Sequence, residues 1–432
     1  MKSLFIWLAA IVAIYWLFSE QQKSERRGLQ KSLIQARDAR SDAGGISGFD
    51  YLNRLRSEAG LKPFKHSPVL ETAARSHARY LAAYPEEQHG QRKTADPLFS
   101  GADPNTRAAK AGYLSRSVEE NLTTETLSDD ENGRIADFSA LGARMQIDNL
   151  MSAIYHRFSL LDPYSDEAGA ASHASGRNRA FVIEQASGLH NGLCRLNHKA
   201  VQPGRSYYTE SCNNGAVVYT DEYPAGTAPA YTVFPVGRSA IPEFQNETPN
   251  PLPDIRIAGN PASIDFHNGK AKIEMLSFKL YQGGKEVKPV RVLSAKTDPN
   301  RKLTGRQFAL FPLKPLAYDT AYRAVFRYKS GGREQTVDWT FRTQKPVWPY
   351  FIVNGGEKLS VKAERRYFLH WKDDWCAEEC ANFRYVEKGG ARLKVHKRTS
   401  GGLVFSLTGE KGGRVSIASK NNLNGGVEIY IR

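Results

Sequence analysis

The run AIYHRFSLLDPYSDEAGAA, residues 153–171, closes an apolar stretch on His156 and Arg157 and reaches Gly169 thirteen residues later. Two earlier pieces carry groups of related chemistry: His89 within EEQHGQ, and Glu119, Glu120 and Asn121 within AGYLSRSVEENLT. Two imidazoles and a carboxylate can exchange protons or hydrogen-bond to one another. They can also hold zinc with one coordination position left open. Which of these applies depends on the elements that carry the three side chains.

Phe49, Leu52, Leu55 and Ala59 recur at helical spacing up to Gly60, which predicts a first helix ending at a glycine. Ser67 followed by Pro68 reads as a cap and a first helical position, and Leu70, Ala73, Ala74, His77 and Leu81 make one stripe. Residues 88–121 are polar and rich in Pro, Gly and Asp. A third helical pattern, Ile147, Leu150, Met151 and Ile154, leads into His156. Three helices therefore precede any clear strand. Strand-like runs follow at 181–183, 216–219 and 230–235, so the first unit is expected to be α plus β.

Residues 249–253, PNPLP, read as a stiff, extended linker. Beyond it, strand-like runs at 273–281, 308–311, 322–328 and 337–342 predict a β-sandwich over 252–343, with Phe308, Phe311, Tyr322, Phe326, Trp339 and Phe341 in its core. Lys345 and Pro346 mark a second boundary. Residues 346–432, with Gly-Gly turns at 355, 389, 401, 412 and 425, are expected to be a small all-β domain.

His89 in a polar segment after the second helix, the Glu-Asn-Leu step at 120–122 and His156-Arg157 before Gly169 resemble the CAP superfamily. That superfamily groups cysteine-rich secretory proteins, antigen 5 and plant pathogenesis-related proteins, and the likeness here is to its bacterial branch. The resemblance covers 46–250 and includes the tail VFPVGRSAIPEFQNETPNPLP. It implies an α-β-α sandwich with a ligand cleft lined by His89, Glu120 and His156, Arg157 pointing away or supporting the turn. The same three residues form a tentative zinc set; without metal they would hydrogen-bond to one another and fix the cleft. Glu119 stands where the family usually has glycine and Leu150 where it has tryptophan. The family's second glutamate has no clear counterpart, since Ser152 falls near its place and Asp148 one turn earlier. The segments RQFALFPLKPLAYDTAYRAVFRY and VDWTFRT resemble bacterial immunoglobulin-like modules, which implies a spacer or binding module over 252–343. His77 is expected to be a satisfied buried histidine, and His66 and His173 to be exposed.

The first residues, MKSLFIWLAAIVAIYWLFSE, hold one lysine and an apolar run from Leu4 to Phe18, the pattern of an export signal. No small-x-small site follows, which favours an uncleaved signal anchor over 1–19; a cleaved signal peptide is the alternative. Either places the body outside the cytoplasm, periplasmic or at the cell surface, or secreted if cleavage occurs. Residues 20–45 read as a polar tether. Cys194 and Cys212, eighteen residues apart, suit a local disulfide in an oxidising compartment. Cys376 and Cys380 form a second bridge, stay free, or join His370 and His396 at zinc. Net charge is +15, and lysine plus arginine against aspartate plus glutamate number 20 against 24 over 46–251, 17 against 8 over 252–343, and 15 against 9 over 346–432. The basic C-terminal half favours an anionic envelope component or lipid, while export argues against nucleic acid.

The chain has no Gly-x-Ser-x-Gly elbow, His-Glu-x-x-His helix, phosphate-cradling glycine loop or dinucleotide fingerprint. The expected function is non-catalytic binding of a small or lipidic ligand in the His/Glu cleft of an envelope-tethered protein. The rivals are a metal-dependent hydrolase acting on envelope peptide or ester bonds, and a purely structural scaffold.

Overall fold

The computed structural model describes residues 33–38, 47–126, 140–224, 228–269, 271–372, 383–419 and 426–432. The N-terminal apolar run, most of the tether, Cys376 and Cys380 lie outside these residues. No helix among them is long and apolar enough to cross a membrane. The described residues fold as two compact units, one within Asp42–Lys345 and the other within Pro346–Arg432 together with residues 33–38.

The larger unit begins with an α-β-α sandwich. Helix α1 (Gly48–Glu58) starts at Ser47, whose hydroxyl accepts from Asp50 N at 3.1 Å, and buries Tyr51, Leu52 and Leu55. Helix α2 (Pro68–Ala83) starts at Ser67, as the cap signal predicts. A short α3 (Pro104–Lys110) follows, then strand β3 (Val118–Thr126), helices α4 (Ala140–Ser152) and α5 (Ile154–Leu160), strands β4 (Glu167–Ser175) and β5 (Asn178–Ala186), and helix α6 (Gly188–Arg195). With β2 (Lys65–His66) they form a sheet of order β2-β4-β5-β3. One face meets α2 through Ala74, Ala78 and Leu81 against Leu122, Ala180 and Val182. The other meets α1 and α4 through Leu52, Leu55, Ile147 and Leu150 against Phe181 and Ile183. Gly169 explains itself here: a Cβ at that position would lie 2.0 Å from Glu71 N, so only glycine lets the backbone of α2 rest on β4.

Strand β3 corrects the expectation that three helices precede any strand. Its nine residues pair antiparallel with β5, Glu120 opposite Glu184. Its polar residues disguise it because they line a buried network. The third helix is also broken: Ala153 takes an extended conformation (ψ 122°) between α4 and α5. Beyond α6, β6 (Tyr207–Tyr208) pairs with β7 (Val218–Tyr219), and Cys194 of α6 forms the expected disulfide with Cys212, packed with Leu193, Ala216 and Val218.

The immunoglobulin-like sandwich is present as two sheets, one of Val290–Leu293, Gln307–Pro312, Ala262–Phe266 and Tyr231–Phe234, the other of Lys285–Glu286, Glu274–Gln282, Ala321–Ser330, Arg333–Thr343 and Gly237–Ala240, each in that order. Its first strands, β8 (Tyr231–Phe234) and β9 (Gly237–Ala240), fall inside the range 46–250 expected to belong to the first domain. They pair instead with β10 (Ala262–Phe266) and β16 (Arg333–Thr343). Strand patterning identified β8 correctly but is blind to which sheet a strand joins. The remaining strands are β11 (Glu274–Gln282), β12 (Lys285–Glu286), β13 (Val290–Leu293), β14 (Gln307–Pro312) and β15 (Ala321–Ser330). Phe308, Tyr322, Phe326, Trp339 and Phe341 fill the core as expected.

Phe311 does not. With Ala309 it points to the opposite face of β14, where it packs with Phe244, Leu252 and Leu293 of the sandwich chain and Ile154 and Phe158 of α5. The PNPLP segment is therefore not a free spacer, because Leu252 is fully buried in this cluster. The α-β-α sandwich and the β-sandwich share a core along α5.

The second unit has two sheets. One is β17 (Tyr350–Val353), β19 (Tyr367–Trp371), β22 (Gly402–Thr408) and β21 (Arg392–Thr399). The other contains β18 (Lys358–Val361), β24 (Val427–Ile431), β23 (Arg414–Ser419) and β20 (Phe383–Lys388). Leu359, Leu369, Phe405, Ile417 and Ile429 pack in the core. The tether is not wholly a tether: β1 (Ile34–Gln35) pairs parallel with β18, and Arg37 bridges to Tyr350.

Candidate functional site

Helix α5 decides where His156 points. Because the helix restarts after Ala153, the N–H groups of its first turn have no intrahelical acceptor. The Glu247 carboxylate takes them: Ile154 N donates to Oε1 at 2.6 Å and Tyr155 N to Oε2 at 3.1 Å. The same carboxylate lies 2.9 Å from His156 Nδ1, and its side chain is 1% exposed. At the other end of α5, buried Arg56 donates to the carbonyls of Leu160 (2.6 Å) and Asp162 (3.1 Å). An acid at the N-terminus and a base at the C-terminus suit the helix dipole.

His156 and Arg157 have opposite tasks. His156 faces the His89 ring and stays partly exposed, while Arg157 turns into the β-sandwich and is fully buried. There it donates to Pro261 O (2.6 Å), Ser263 Oγ (3.0 Å) and Asn260 Oδ1 (2.7 Å). Burial pulls its guanidinium down to about 9.

His89 follows Gln88, a non-glycine residue in the left-handed region (φ 55°). That turn aims Gln88 O at His77 Nε2, 2.9 Å away. His89 Nδ1 is 2.9 Å from Glu120 Oε1, and Arg107 ties the assembly by donating to Glu120 Oε2 (2.6 Å) and His89 O (3.1 Å). The rings of His89 and His156 stack with centroids 6.5 Å apart. The expected trio is therefore brought together, with Glu120 behind the His89 ring and the His156 ring facing it.

Beneath His89 lies a buried polar cluster. Glu184, opposite Glu120 in the sheet, is pushed well above its ordinary range by burial and then by the Glu120 charge. Burial acts on Glu120 in the same direction, but His89, His77, Arg107 and Glu184 together hold it below the usual carboxylate range. Within the pair, burial and mutual repulsion therefore favour the neutral form at Glu184 and the ionised form at Glu120. His77, expected to be a satisfied core histidine, is completely buried and accepts from Gln91 Nε2 at Nδ1 (2.9 Å). Burial lowers it to about 4, against the opposing pull of Glu120. Glu119 faces the other way, towards α5, and accepts from Ser159 Oγ at 2.6 Å. His66 and His173 are exposed.

The tentative three-ligand zinc set is not assembled as expected. Both oxygens of Glu120 are engaged, by His89 and Arg107, and the carboxylate sits behind His89 with its side chain 1% exposed. Among the described residues, one group of three has ligand atoms mutually within 4.8 Å: His190, Cys194 and Cys212, whose two sulfurs are joined in the disulfide. What the cleft offers is a pair of imidazoles, each with Nδ1 held by a buried carboxylate. That arrangement leaves Nε2 as the ligand atom, as in carboxylate–histidine–metal triads, so the donor set fits two ligands of a divalent metal. Elsewhere His370 bonds Gly401 O and His396 Nε2 is 2.8 Å from Ser406 Oγ, both side-chain contacts inside the second unit.

The residue missed from the sequence is Glu247, which holds His156 where Ser152 and Asp148 do not. Those two face the β-sandwich chain instead: Ser152 Oγ accepts from Gln245 N (2.9 Å), and Asp148 accepts from Gln344 Nε2 (2.8 Å). Glu247 lies within the tail segment that carried part of the family resemblance, but nothing in its spacing links it to His156.

The architecture is an α-β-α sandwich that brings together an imidazole pair, followed by β modules. Residues 49–185 match the CAP family of cysteine-rich secretory proteins, so this segment is a CAP domain. No curated protein sequence matches the chain. Similar solved structures include an outer surface protein from Borrelia burgdorferi, 15% identical, covering 32% of this chain and 88% of that one with a TM-score of 0.25. An extracellular SCP-domain protein from Bacillus anthracis is 14% identical, covering 32% of this chain and 38% of that one with a TM-score of 0.24. Fibronectin(III)-like modules from Clostridium thermocellum are 10% identical, covering 40% of this chain and 85% of those with a TM-score of 0.13.

Proposed function

We propose that this is an exported, envelope-tethered CAP-domain protein whose cleft binds a small or lipidic ligand through His89 and His156, with a divalent metal such as zinc as a fitting partner of the same two rings. The observation that carries the reading is the pair of stacked imidazoles with their Nδ1 atoms occupied by Glu120 and Glu247. Export is supported by the apolar run from Leu4 to Phe18 and by the Cys194–Cys212 disulfide, which an oxidising compartment preserves. The basic modules that follow suit an anionic envelope component or lipid. Zinc titration of the full chain by calorimetry tests the cleft. The wild type is expected to bind and the His89→Ala/His156→Ala double variant to lose binding while staying folded. Equal binding by both proteins would remove these rings from the function.

A metal-dependent hydrolase is the second reading. It is favoured by the same carboxylate–imidazole pairing, which orients a ring as a general base in many hydrolases. It requires turnover of peptide or ester substrates that a chelator abolishes. A protein inert towards envelope peptides and esters with zinc supplied would end it.

A further inference from the structure

We infer that the cleft is a composite of two modules, in which Glu247, carried by the β-sandwich, is the positioning residue of His156. The inference rests on the cleft reading above only for what His156 binds, not for how it is held.

Glu247 lies between β9 and β10, so its chain belongs to the sandwich. That loop is closed on itself by Phe244 N donating to Ala258 O (2.9 Å) and pinned to the sandwich by Gly259 N donating to Pro312 O (2.8 Å) and Leu316 N to Pro242 O (2.9 Å). Phe244 and Leu252 anchor it from within, in the core shared with Ile154 and Phe158. The residue is also beyond the matched CAP segment, which ends at 185.

Its carboxylate has an acceptor's task throughout. The backbone N–H groups of Ile154 and Tyr155 and the His156 ring all present donors to it. Accepting from Nδ1–H fixes the tautomer of His156, leaving the lone pair of Nε2 for a ligand. Accepting from the first turn fixes where α5 begins, and therefore the direction in which the ring leaves the helix. Glutamine has one acceptor oxygen and a donor amide, so it cannot satisfy the same set.

The helix is held from the same side by its neighbours. Arg157 is bound to Asn260, Pro261 and Ser263, and the Tyr155 hydroxyl donates to Asp298. Three consecutive residues of α5 thus read out the docking of the sandwich, with His156 in the middle.

The test uses the full chain, Glu247→Gln and Glu247→Asp. Nitrogen-15 NMR of the histidine rings, at a pH where His156 is neutral and with His156→Gln to assign its signals, reports the tautomer. Calorimetry reports zinc affinity. The wild type is expected to show His156 as the Nδ1–H tautomer. Glu247→Gln should lose that preference and bind zinc about 10- to 100-fold more weakly, the usual effect of removing a carboxylate behind a ligating histidine. Glu247→Asp keeps the charge and both acceptors on a shorter arm; it should keep α5 while weakening the ring contact, which preserves the test if the glutamine variant does not fold. An Nε2–H tautomer in the wild type, or an unchanged tautomer in both variants, would overturn the inference. Failure of the wild type to bind zinc, with the tautomer still responding to Glu247→Gln, would retract the metal but leave the positioning role standing.

Discussion

His89 and His156 stand 6.5 Å apart, yet they are fixed by different parts of the molecule. The Glu120 behind His89 sits on β3 of the CAP sheet, and the network that supports it, His77, Arg107 and Glu184, comes from α2, α3 and β5 of the same domain. The Glu247 behind His156 comes from the sandwich, as do the partners of the Tyr155 hydroxyl and of the Arg157 Nη atoms on either side, while Arg157 Nε donates to Met151 O of α4 at 2.6 Å. One wall of the cleft is therefore a property of the CAP fold, and the other of how a second module is docked. A change in the docking should be felt at His156 and not at His89.

The strongest way to break this asymmetry is at Arg157. Replacement by alanine leaves the buried acceptors at Pro261, Ser263 and Asn260 without a donor and empties the volume over the Phe234 ring. The expected loss is about 3–5 kcal/mol of stability in the 42–345 unit, read by calorimetric unfolding of the full chain. Arg157→Lys should recover only part, because an ammonium cannot reach three divergent acceptors with a planar fork. Histidine NMR of Arg157→Ala should show His156 shifted and His89 unchanged. Equal shifts at both rings would mean that the cleft responds as one body.

The His89 wall is tested by acid. His77 is buried and lowered from 6.5 to about 4. A group whose folded value is depressed stabilises the fold above its unfolded value, and that stability is lost as pH falls from 6.5 through 4. The full effect is about 3 kcal/mol. His267 of the sandwich is also lowered to about 4, by burial and then by Arg306, so it contributes in the same window. The two histidines therefore pull the stability of the 42–345 unit down between pH 7 and pH 4, while the buried acids Glu184 and Asp265, both raised above their ordinary range, pull it up over the same interval. Against that background His77→Gln should remove one ring's share of the acid-induced loss and leave the His267 share. An unchanged slope in the variant would show that the ring is not held neutral.

Much of the CAP half was legible because its signals are local. The Ser67-Pro68 cap, the stripe on α2 and the pattern into His156 each depend on residues within a few turns, and the order of His89, Glu120 and His156 carried the family resemblance. Strand β3 was hidden because VEENLTTET looks like a polar loop, although Glu120 and Asn121 are polar side chains facing buried partners. Glu247 was hidden for a different reason: its partner is 91 residues away, on another element, and no spacing rule spans that distance. The sequence did contain one sign of the docking. In β15, AYRAVFRY alternates between buried and exposed, as a sandwich strand with one solvated face should, whereas in β14 the run FALFP is buried at every position. A strand with no polar alternation needs cover on both sides, and the second cover here is α5.

The smallest effect sharpens the comparison most, because it separates docking from local helix stability. Tyr155→Phe deletes a hydroxyl that donates to Asp298 and accepts from Asn300 Nδ2 at 3.0 Å, and should cost about 1 kcal/mol. Ser67→Ala removes the α2 cap inside the CAP domain and should cost about the same. The two differ in what they couple to. Tyr155 and Glu247 meet through the Tyr155 backbone N–H, so a double-mutant cycle with Glu247→Asp should show an interaction of about 0.5 kcal/mol or more. Ser67 shares no partner with Glu247, and its cycle should be additive within about 0.3–0.5 kcal/mol. Coupling of equal size in both cycles would mean that Glu247 stabilises the CAP domain generally, whereas coupling confined to Tyr155 assigns it to the docked wall.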